Sequence, residues 1–384
     1  MFKSKRKVAI VVDSFTMHGR GILSGIGDYV QESNRWQTQY VEFSLEANPP
    51  SWLSTWKGDG VIVRDWCGNC YNAALMTGAA VVDLSVVRRP GVPTVISDHP
   101  MSIRHGIAHL RAHGFRRFAF VGVSGMSFSE DRLRAFQEQV RENKHIFVLE
   151  SSLLSSYPWK MNRRKFENWL LQLPKPIGIF AAFDPIGAYI LEACSARKIA
   201  VPDEIGVVGA NNDEIQCKLA RPSLSSVMID SHGLGYHACL LLDELMDGLP
   251  PPQPPQVIPT LGVAARQSTN ALFLPDPLVV RAVRFIRENA LLGIDIEQVA
   301  QKLGCTSRTL ERHFQQAIGI SPVNELTSVR LKYAAELLRH SNLTIDAVAA
   351  RSGFDSVSHF SLAFKKKNGM APGEFRKNQG APPE

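Results

Sequence analysis

The chain has 384 residues, enough for two or three domains that each bury a core. Its composition is that of an ordinary folded protein, and no apolar run reaches the length of a membrane span, so no membrane partner is expected. Of the formal charge of +7, +5 falls from Pro277 onward, where 15 Lys/Arg meet 10 Asp/Glu. That asymmetry points to a polyanionic partner for the C-terminal part, although solvated helix faces would account for it equally well.

The start, MFKSKRKVAIVVDS, places basic residues before five apolar ones. Asp13 ends the run too early for a secretory leader, so residues 8–12 read as a buried strand and the expected location is cytoplasmic. A helix follows from about Gly21 to Glu32, then strands at Gln39–Leu45, Gly60–Arg64, Ala80–Leu84 and Thr94–Ser97. Helices are expected at Met101–His113, Glu130–Asn143, Arg163–Leu173, Pro185–Arg197 and Gly233–Asp247. Strands are expected at Arg117–Gly122, Ile146–Leu149, Gly178–Ala182, Ile205–Ala210 and Gln256–Pro259. Short apolar strands alternating with helices imply parallel sheets covered on both faces. The strands are too many for one small sheet, so two linked α/β lobes fit better, with ligand bound beyond the carboxyl ends of the strands.

Six cysteines are present, and only Cys67-Gly-Asn-Cys70 has metal or redox spacing. No second pair or nearby His completes a zinc site, so free, reduced thiols and no metal are expected. The Pro-rich run Leu249–Pro255 is stiff and extended. The domain boundary is expected after it, in a linker over residues 266–276 that Pro-Asp-Pro closes. This gives a first domain over 1–265 and a second over 277–384.

The second domain contains an internal repeat, the signal that decides the reading. Ile296, Val299, Ala300 and Gly304 recur 49 residues later as Ile345, Val348, Ala349 and Gly353. Leu310, Phe314, Gly319 and Pro322 recur 50 residues later as Phe360, Phe364, Gly369 and Pro372. A helix over about Leu278–Ala290 precedes the first copy. In it, a short helix Ile296–Leu303 ends at Gly304, which suits a left-handed cap, and Thr306 or Ser307 can cap the next helix. There Leu310 and Phe314 lie on one face as core, while Arg308 and Arg312 share another. This is a helix-turn-helix, whose second helix can enter the major groove. Its arginines can bond guanine O6 and N7 while other donors hold phosphates. A long helix over about Pro322–His340 bridges to the second copy, where Phe360 and Phe364 are core, Asp355 or Ser356 the cap, and Ser358 and His359 face outward. Lys365, Lys366 and Lys367 crowd that helix end as phosphate contacts.

The text RTLERHF…GISPVNELTSVRLKYAAELL…TIDAVAARSGF…SHFSLAFKKKNGMAPGEFR resembles the AraC-type DNA-binding domain across about Asp276–Lys377. That resemblance implies two units, joined by a rigid helix, reading successive major-groove segments of an operator in double-stranded DNA. It implies contacts from Ser307, Arg308, Thr309 and Arg312 in the first unit. In the second it implies Ser356, Ser358, His359, Leu362, Lys365 and Lys366. Leu362 departs from the polar residue often found there, so it would touch a thymine methyl or add no readout.

The first 265 residues resemble the two-lobed sugar-binding fold of LacI-type repressors. The resembling text includes GRGILSGIGDYV, GVPTVISDHP, HLRAHGFRRFAFVG and VPDEIGVVGANNDE. With the AraC-type domain following, the whole resembles the xylose-operon (XylR-like) regulators. The resemblance implies a periplasmic-binding-protein-like α/β sensor, then an all-α double helix-turn-helix domain. The implied function is an activator of pentose genes, with a sugar effector such as D-xylose, a homodimer, and RNA polymerase as a further partner. It places Ser14, Phe15, Asp98, Arg132, Asp184 and Asn211 at the sugar. Two departures stand out. Asn211 occupies a position where the family usually carries Asp, and Pro185-Ile186-Gly187 replaces a more polar run. Taken alone, an Asp or Asn at a strand end more often caps a helix or turn, and Arg132 has Glu130 and Asp131 as local partners. Only the resemblance brings these residues to one cleft.

Two rivals stand beside this reading. One keeps DNA binding but makes the lobes a ligand-free dimerisation module. The other is an enzyme acting on a sugar derivative, and it has little support. No G-x-S-x-G, H-E-x-x-H or P-loop motif is present, and Gly19-Arg-Gly21 is too short for a dinucleotide fingerprint, so no cofactor is expected.

Overall fold

The structure is a computed structural model that describes residues 5–40, 49–65, 69–85, 92–142, 144–150, 163–252, 254–271, 276–341 and 343–378. Cys67 and residues 41–45 of the expected second strand lie outside the described residues. The chain divides into two compact units, Met1–Ala271 and Leu272–Glu384.

The first unit opens with β1 (Arg6–Val11), α1 (Met17–Ser33), β2 (Trp36–Tyr40), β3 (Gly60–Val63), α2 (Asn69–Leu75), β4 (Ala80–Asp83) and β5 (Val95–Ser97). It continues with α3 (His99–Ala112), β6 (Phe118–Val123), α4 (Ser127–Gln139), β7 (Lys144–Leu149), α5 (Arg163–Gln172), β8 (Ile177–Ala181), α6 (Asp184–Ala196), β9 (Ile205–Ala210), α7 (Glu214–Leu219) and β10 (Ser225–Ile229). It closes with α8 (Ser231–Met246), β11 (Gln256–Ile258) and β12 (Thr260–Ala264).

Two sheets carry the two lobes. One has the order β2-β1-β3-β4, the other β12-β10-β9-β8-β6-β7. The alternation of apolar strands and helices produces the expected parallel pairing, with one exception. β12 runs antiparallel to β10, and its register slips at Met228/Ile229. A Gly at 262 and a Thr start make it the kind of strand tolerated at a sheet edge. β5 and β11 pair with each other as a separate parallel ribbon. The chain passes between lobes three times, at Asp98, at Asp230 and at Pro259. Asp98 and Asp230 each cap the helix that follows, accepting from Met101 N at 2.6 Å and Gly233 N at 2.7 Å.

The first lobe is held by close approach of α1 to α8. A Cβ at Gly25 would stand 2.0 Å from the His232 carbonyl, and one at Gly235 2.0 Å from that of Ile22, so only glycine lets these backbones meet. Nearby, the buried Asp243 carboxylate accepts from Trp36 Nε1 at 2.8 Å and from the Tyr29 hydroxyl. The second lobe is built on fully buried aromatics, with Phe120 and Phe180 stacked at 6.2 Å and Phe120 tilted against Phe136 at 5.5 Å. Residues 266–271, read from sequence as the start of a linker, fold onto this lobe. Ser268 and Thr269 are fully buried, and Ser268 Oγ donates to the Val207 carbonyl at 2.6 Å.

The second unit is helical: α9 (Pro277–Asn289), α10 (Ile296–Lys302), α11 (Ser307–Ile318), α12 (Pro322–His340), α13 (Ile345–Arg351), α14 (Val357–Asn368) and α15 (Pro372–Asn378). It contains two separate cores. The first gathers Val279, Val283, Ile286, Val299, Leu310, Phe314 and, from α12, Leu326. The second gathers Leu331, Ala334 and Leu338 from the other half of α12 with Val348, Phe354, Phe360 and Phe364. One helix therefore serves both copies of the repeat. No helix among the described residues is long and apolar enough to cross a membrane.

Candidate functional site in each unit

A cavity of about 180 Å³ opens between the lobes of the first unit. Its walls come from residues just past the strand ends, where parallel sheets present their loops. Thr16 to His18 follow β1, Arg64 and Asp65 follow β3, Ser85 follows β4, and Ser97 and His99 flank the first crossover. The other lobe supplies Phe128 and Arg132 from α4, Phe183 to Pro185 after β8, and Asn211, Asp213 and Gln216 after β9.

Four of the six residues implied as ligand contacts line it: Phe15, Arg132, Asp184 and Asn211. Asp98 does not. It sits at the crossover as the cap of α3, and its neighbours Ser97 and His99 face the cavity instead. Ser14 is outside the lining too, and its carbonyl accepts from Arg20 Nη1 at 2.7 Å. Sequence reading missed Thr16, His18, Arg64, Asp65, Ser85 and His99. Of these, Arg64 and Asp65 carried a signal, since they follow an apolar strand as Ser14 and Phe15 do.

Arg132 is 2% exposed. Its Nη2 donates to Asn211 Oδ1 at 3.1 Å and its Nη1 to the Ala182 carbonyl. Its Nε is buried without a hydrogen-bond partner. The guanidinium lies 5.6 Å from the centre of the Phe128 ring. Asp131, the local partner weighed from sequence, is hydrogen-bonded to Arg134 instead. Burial pulls Arg132 down to about 10, against the opposing charges of Asp184 and Asp131. Asn211 holds its place with φ of 99°, a conformation that Asn tolerates better than most residues.

Asp184 is fully buried. Its Oδ1 accepts from Ser226 Oγ at 2.5 Å and its Oδ2 from Asp213 N at 2.7 Å. Burial pushes its carboxyl up to about 7, against the pull of those two bonds. Across the cavity Arg64 is ion-paired with the buried Asp13. His18 bonds Ser231 Oγ at 2.6 Å. Burial first, then the charges of Arg64 and Arg132, holds His18 well below the usual histidine range. Among the described residues no group of three or more His, Cys, Asp or Glu side chains could hold a metal ion.

In the second unit the two halves of the repeat share their turns, caps and buried positions. Gly304 and Gly353 take φ of 70° and 78° at the two turns, and Gly319 and Gly369 take 69° and 77° after the second helices. Thr306 caps α11 through Thr309 N at 3.1 Å, and Ser356 caps α14 through His359 N at 3.2 Å. Leu310, Phe314, Phe360 and Phe364 are fully buried, which turns the opposite faces of α11 and α14 outward. Arg308, Arg312, Ser356, Ser358, His359, Lys365 and Lys366 are exposed there, while Ser307 and Thr309 are half-buried. Leu362 is 71% exposed, so an apolar side chain is held in solvent on the outer face of α14. Lys367 differs from its two neighbours. Its ammonium turns back onto α12, donating to Ser328 Oγ at 2.6 Å and the Ser328 carbonyl at 3.2 Å. At the first copy, His313 Nδ1 is bonded to Asp276 Oδ2 at 2.5 Å, which pins the second helix of the motif to the cap of α9.

Residues 107–269 match the periplasmic binding protein-like domain and residues 299–378 a helix-turn-helix domain. The xylose operon regulatory protein of Haemophilus influenzae is 30% identical over 385 residues, spanning 97% of this chain and 98% of its own. The chain belongs to the xylose operon regulatory protein family. The Escherichia coli K12 relative is 29% identical over 390 residues, with 98% of each chain covered. The solved structure of the xylose-binding transcription activator xylR aligns with a TM-score of 0.83 at 28% identity, covering 99% of this chain and all of that one. The sensor fold alone is shared with the cellobiose complex of the regulator CelR, at a TM-score of 0.53 and 21% identity, over 69% of this chain and 85% of that one. The chain is thus a DNA-binding transcription regulator with a periplasmic-binding-protein-like domain, not an enzyme.

Proposed function

We propose that this regulator is controlled by a sugar of monosaccharide size bound between the lobes of residues 1–265, and that residues 277–384 carry the effect to an operator. The observation that carries the reading is the cavity itself. It is lined from both lobes by aromatic and polar side chains, and the crossover at Ser97 to His99 lies at its edge. A ligand that touches both lobes favours whichever arrangement gives it more contacts, and that differential binding is what shifts the equilibrium. Ser14 and Asp98 are set aside as contacts. Phe15, Arg132, Asp184 and Asn211 are retained, with Arg64, Asp65, His18 and His99 added. The relatives' names make D-xylose the first effector to test and activation the first sign of regulation to test.

For the DNA, we assign base readout chiefly to Arg308 and Arg312, with Ser307 and Thr309 beside them. In the second copy, Ser358, His359 and Leu362 would reach bases, while Ser356, Lys365 and Lys366 would hold phosphates. A homodimer on paired half-sites, contact with RNA polymerase and a cytoplasmic location complete the proposal. The test is operator binding at fixed salt with Arg308→Ala and Arg312→Ala. Each substitution should cost about 1–3 kcal/mol and relax sequence preference. Unchanged preference would defeat the assignment.

A second reading, a ligand-free sensor used for dimerisation, draws on one observation: Asp184 is bonded on both oxygens within the protein. Thermal melting with sugars separates the two, because a ligand that binds only the folded state raises the melting temperature.

A further inference from the structure

Among the described residues, one cation of the cavity, Arg132, has no carboxylate in hydrogen-bond contact. Arg132 is 2% exposed, and its two hydrogen-bonded acceptors, the Ala182 carbonyl and Asn211 Oδ1, are neutral amide oxygens. Its Nε–H is buried and finds no acceptor among the described residues. The carboxylates that share the cavity are committed elsewhere. Asp65 Oδ2 accepts from Cys70 N at 2.7 Å, and Asp213 Oδ1 caps α7 through Gln216 N at 3.1 Å. Asp184 accepts from Ser226 and Asp213 on its two oxygens, so its charge acts on Arg132 without a hydrogen bond to it. The second cavity arginine, Arg64, already has Asp13.

A buried guanidinium bonded only to neutral acceptors is costly, and its strongest complement is a carboxylate taken in bidentate fashion. Position 211 is where such a group would stand if the protein supplied it, and the protein supplies an amide. The cavity is also smaller than the roughly 300 Å³ at which pockets for drug-sized ligands begin.

We infer that the effector of this chain is an anionic monosaccharide, a uronic or aldonic acid, whose carboxylate docks on Arg132 beside Asn211. This rests on the reading of the cavity as a sugar site and replaces the neutral pentose within it. The hydroxyls of such a ligand would face Asp65, Ser85, His18 and His99, and Phe15 and Phe128 offer apolar surface to its ring.

Calorimetry on the full chain tests this with D-galacturonate, D-glucuronate and D-xylonate, each against its uncharged counterpart, D-galactose, D-glucose and D-xylose. At least one acid should bind about thirtyfold or more tightly than its counterpart, the ratio expected for a fully desolvated charge pair. Binding by a neutral sugar, with no acid binding more tightly than its own counterpart, would overturn the inference and leave the sugar site standing. Binding by neither class would overturn both. The variant Asn211→Asp gives a readout that needs no ligand. The carboxylate it places against Arg132 should raise the melting temperature of the unliganded chain by about 2–4 °C and weaken acid binding about thirtyfold or more. An unliganded variant that melts no higher than the parent would show that Arg132 is already compensated, and would overturn the inference.

Discussion

Arg330 Nε donates to the carbonyl of Ala290 at 2.9 Å across the boundary between the two copies of the repeat. Its Nη2 reaches the Ile294 carbonyl at 2.7 Å, and its guanidinium lies 5.8 Å from the centre of the Phe354 ring. One side chain on α12, 9% exposed, therefore satisfies the carbonyl that ends α9 and the one just before α10, and packs on the turn residue of the second copy. Gly353 tightens the same joint, since a Cβ there would stand 2.5 Å from the Ala290 carbonyl. Arg330→Met keeps the length of the side chain but leaves two carbonyls without their charged donor. With about 1.5–3 kcal/mol for each hydrogen bond to a charged group, the loss of two should cost about 3 kcal/mol or more. Chemical denaturation of the full chain, followed by far-UV circular dichroism, checks the loss.

The lysines at the end of α14 divide by geometry. All three are exposed, but the Lys367 ammonium is bonded to Ser328, and desolvation lowers its affinity for the proton. Each phosphate contact that is removed should lower the slope of log K against log salt by about 0.9. Replacing Lys365 and Lys366 together with Ala should therefore flatten the slope by about 2 and weaken all DNA sequences alike. Lys367→Ala should leave the slope nearly unchanged and lower the melting temperature instead. Titrations of operator and random DNA across a salt series measure both.

The repeat made the second unit legible because its period, glycines and paired Phe residues all serve local packing. Ile296, Gly304, Phe314 and Pro322 recur where the same turn and the same core recur. The first unit was legible wherever a strand is buried on both faces, as in VAIVV and FAFVGV. It was less so where an element is short or sits at an edge. α2 and α7 have seven and six residues, too few for a helical period to stand out. β10 opens with two serines, Ser225 and Ser226, whose hydroxyls bond within the core rather than to water. β12 contains a glycine at an edge. The cavity was harder still, because proximity there is a property of the tertiary fold. Nothing local distinguishes Asp98, which caps a helix at a crossover, from Asp184, which lines the cavity. Arg64 contacts Asp13 only because β1 and β3 are neighbours in the sheet.

Asp184 gives the sensor a pH signature. Burial holds its carboxyl at about 7 in the folded chain, against an ordinary value of 3.8. Between those values the folded state keeps a proton that the unfolded state releases. The stabilisation is therefore complete below the ordinary value and is lost as pH rises through about 7. His109 acts in the opposite sense. Burial, and then the charge of His113, brings it down to about 4, so it favours the folded state above its ordinary value of 6.5 and loses that contribution as pH falls toward 4. The comparison must therefore be between parent and variant. Asp184→Asn keeps a neutral side chain at every pH, so its stability relative to the parent should rise between pH 5 and pH 8. Melting temperatures across that range check it. A constant difference would show that Asp184 keeps its ordinary affinity for protons.

The approach of α1 to α8 makes a sharper claim, because two glycines on one helix should respond with opposite signs. Gly25 faces α8, and a Cβ there would stand 2.0 Å from the His232 carbonyl and 2.9 Å from Tyr236 N. Both are backbone atoms, so the helices would have to part. Gly27, two residues on, has open space where its Cβ would be. Both lie inside α1, where Ala is favoured over Gly by roughly 0.5–1 kcal/mol. Gly27→Ala should therefore stabilise by up to about 1 kcal/mol. Gly25→Ala should destabilise by about 1–3 kcal/mol, the usual cost of overpacking a well-filled contact, even after the helical preference is credited. Urea denaturation of the two variants measures the signs directly. If Gly25→Ala proved as stable as the parent, the close contact of these two helices would not be what holds the first lobe together.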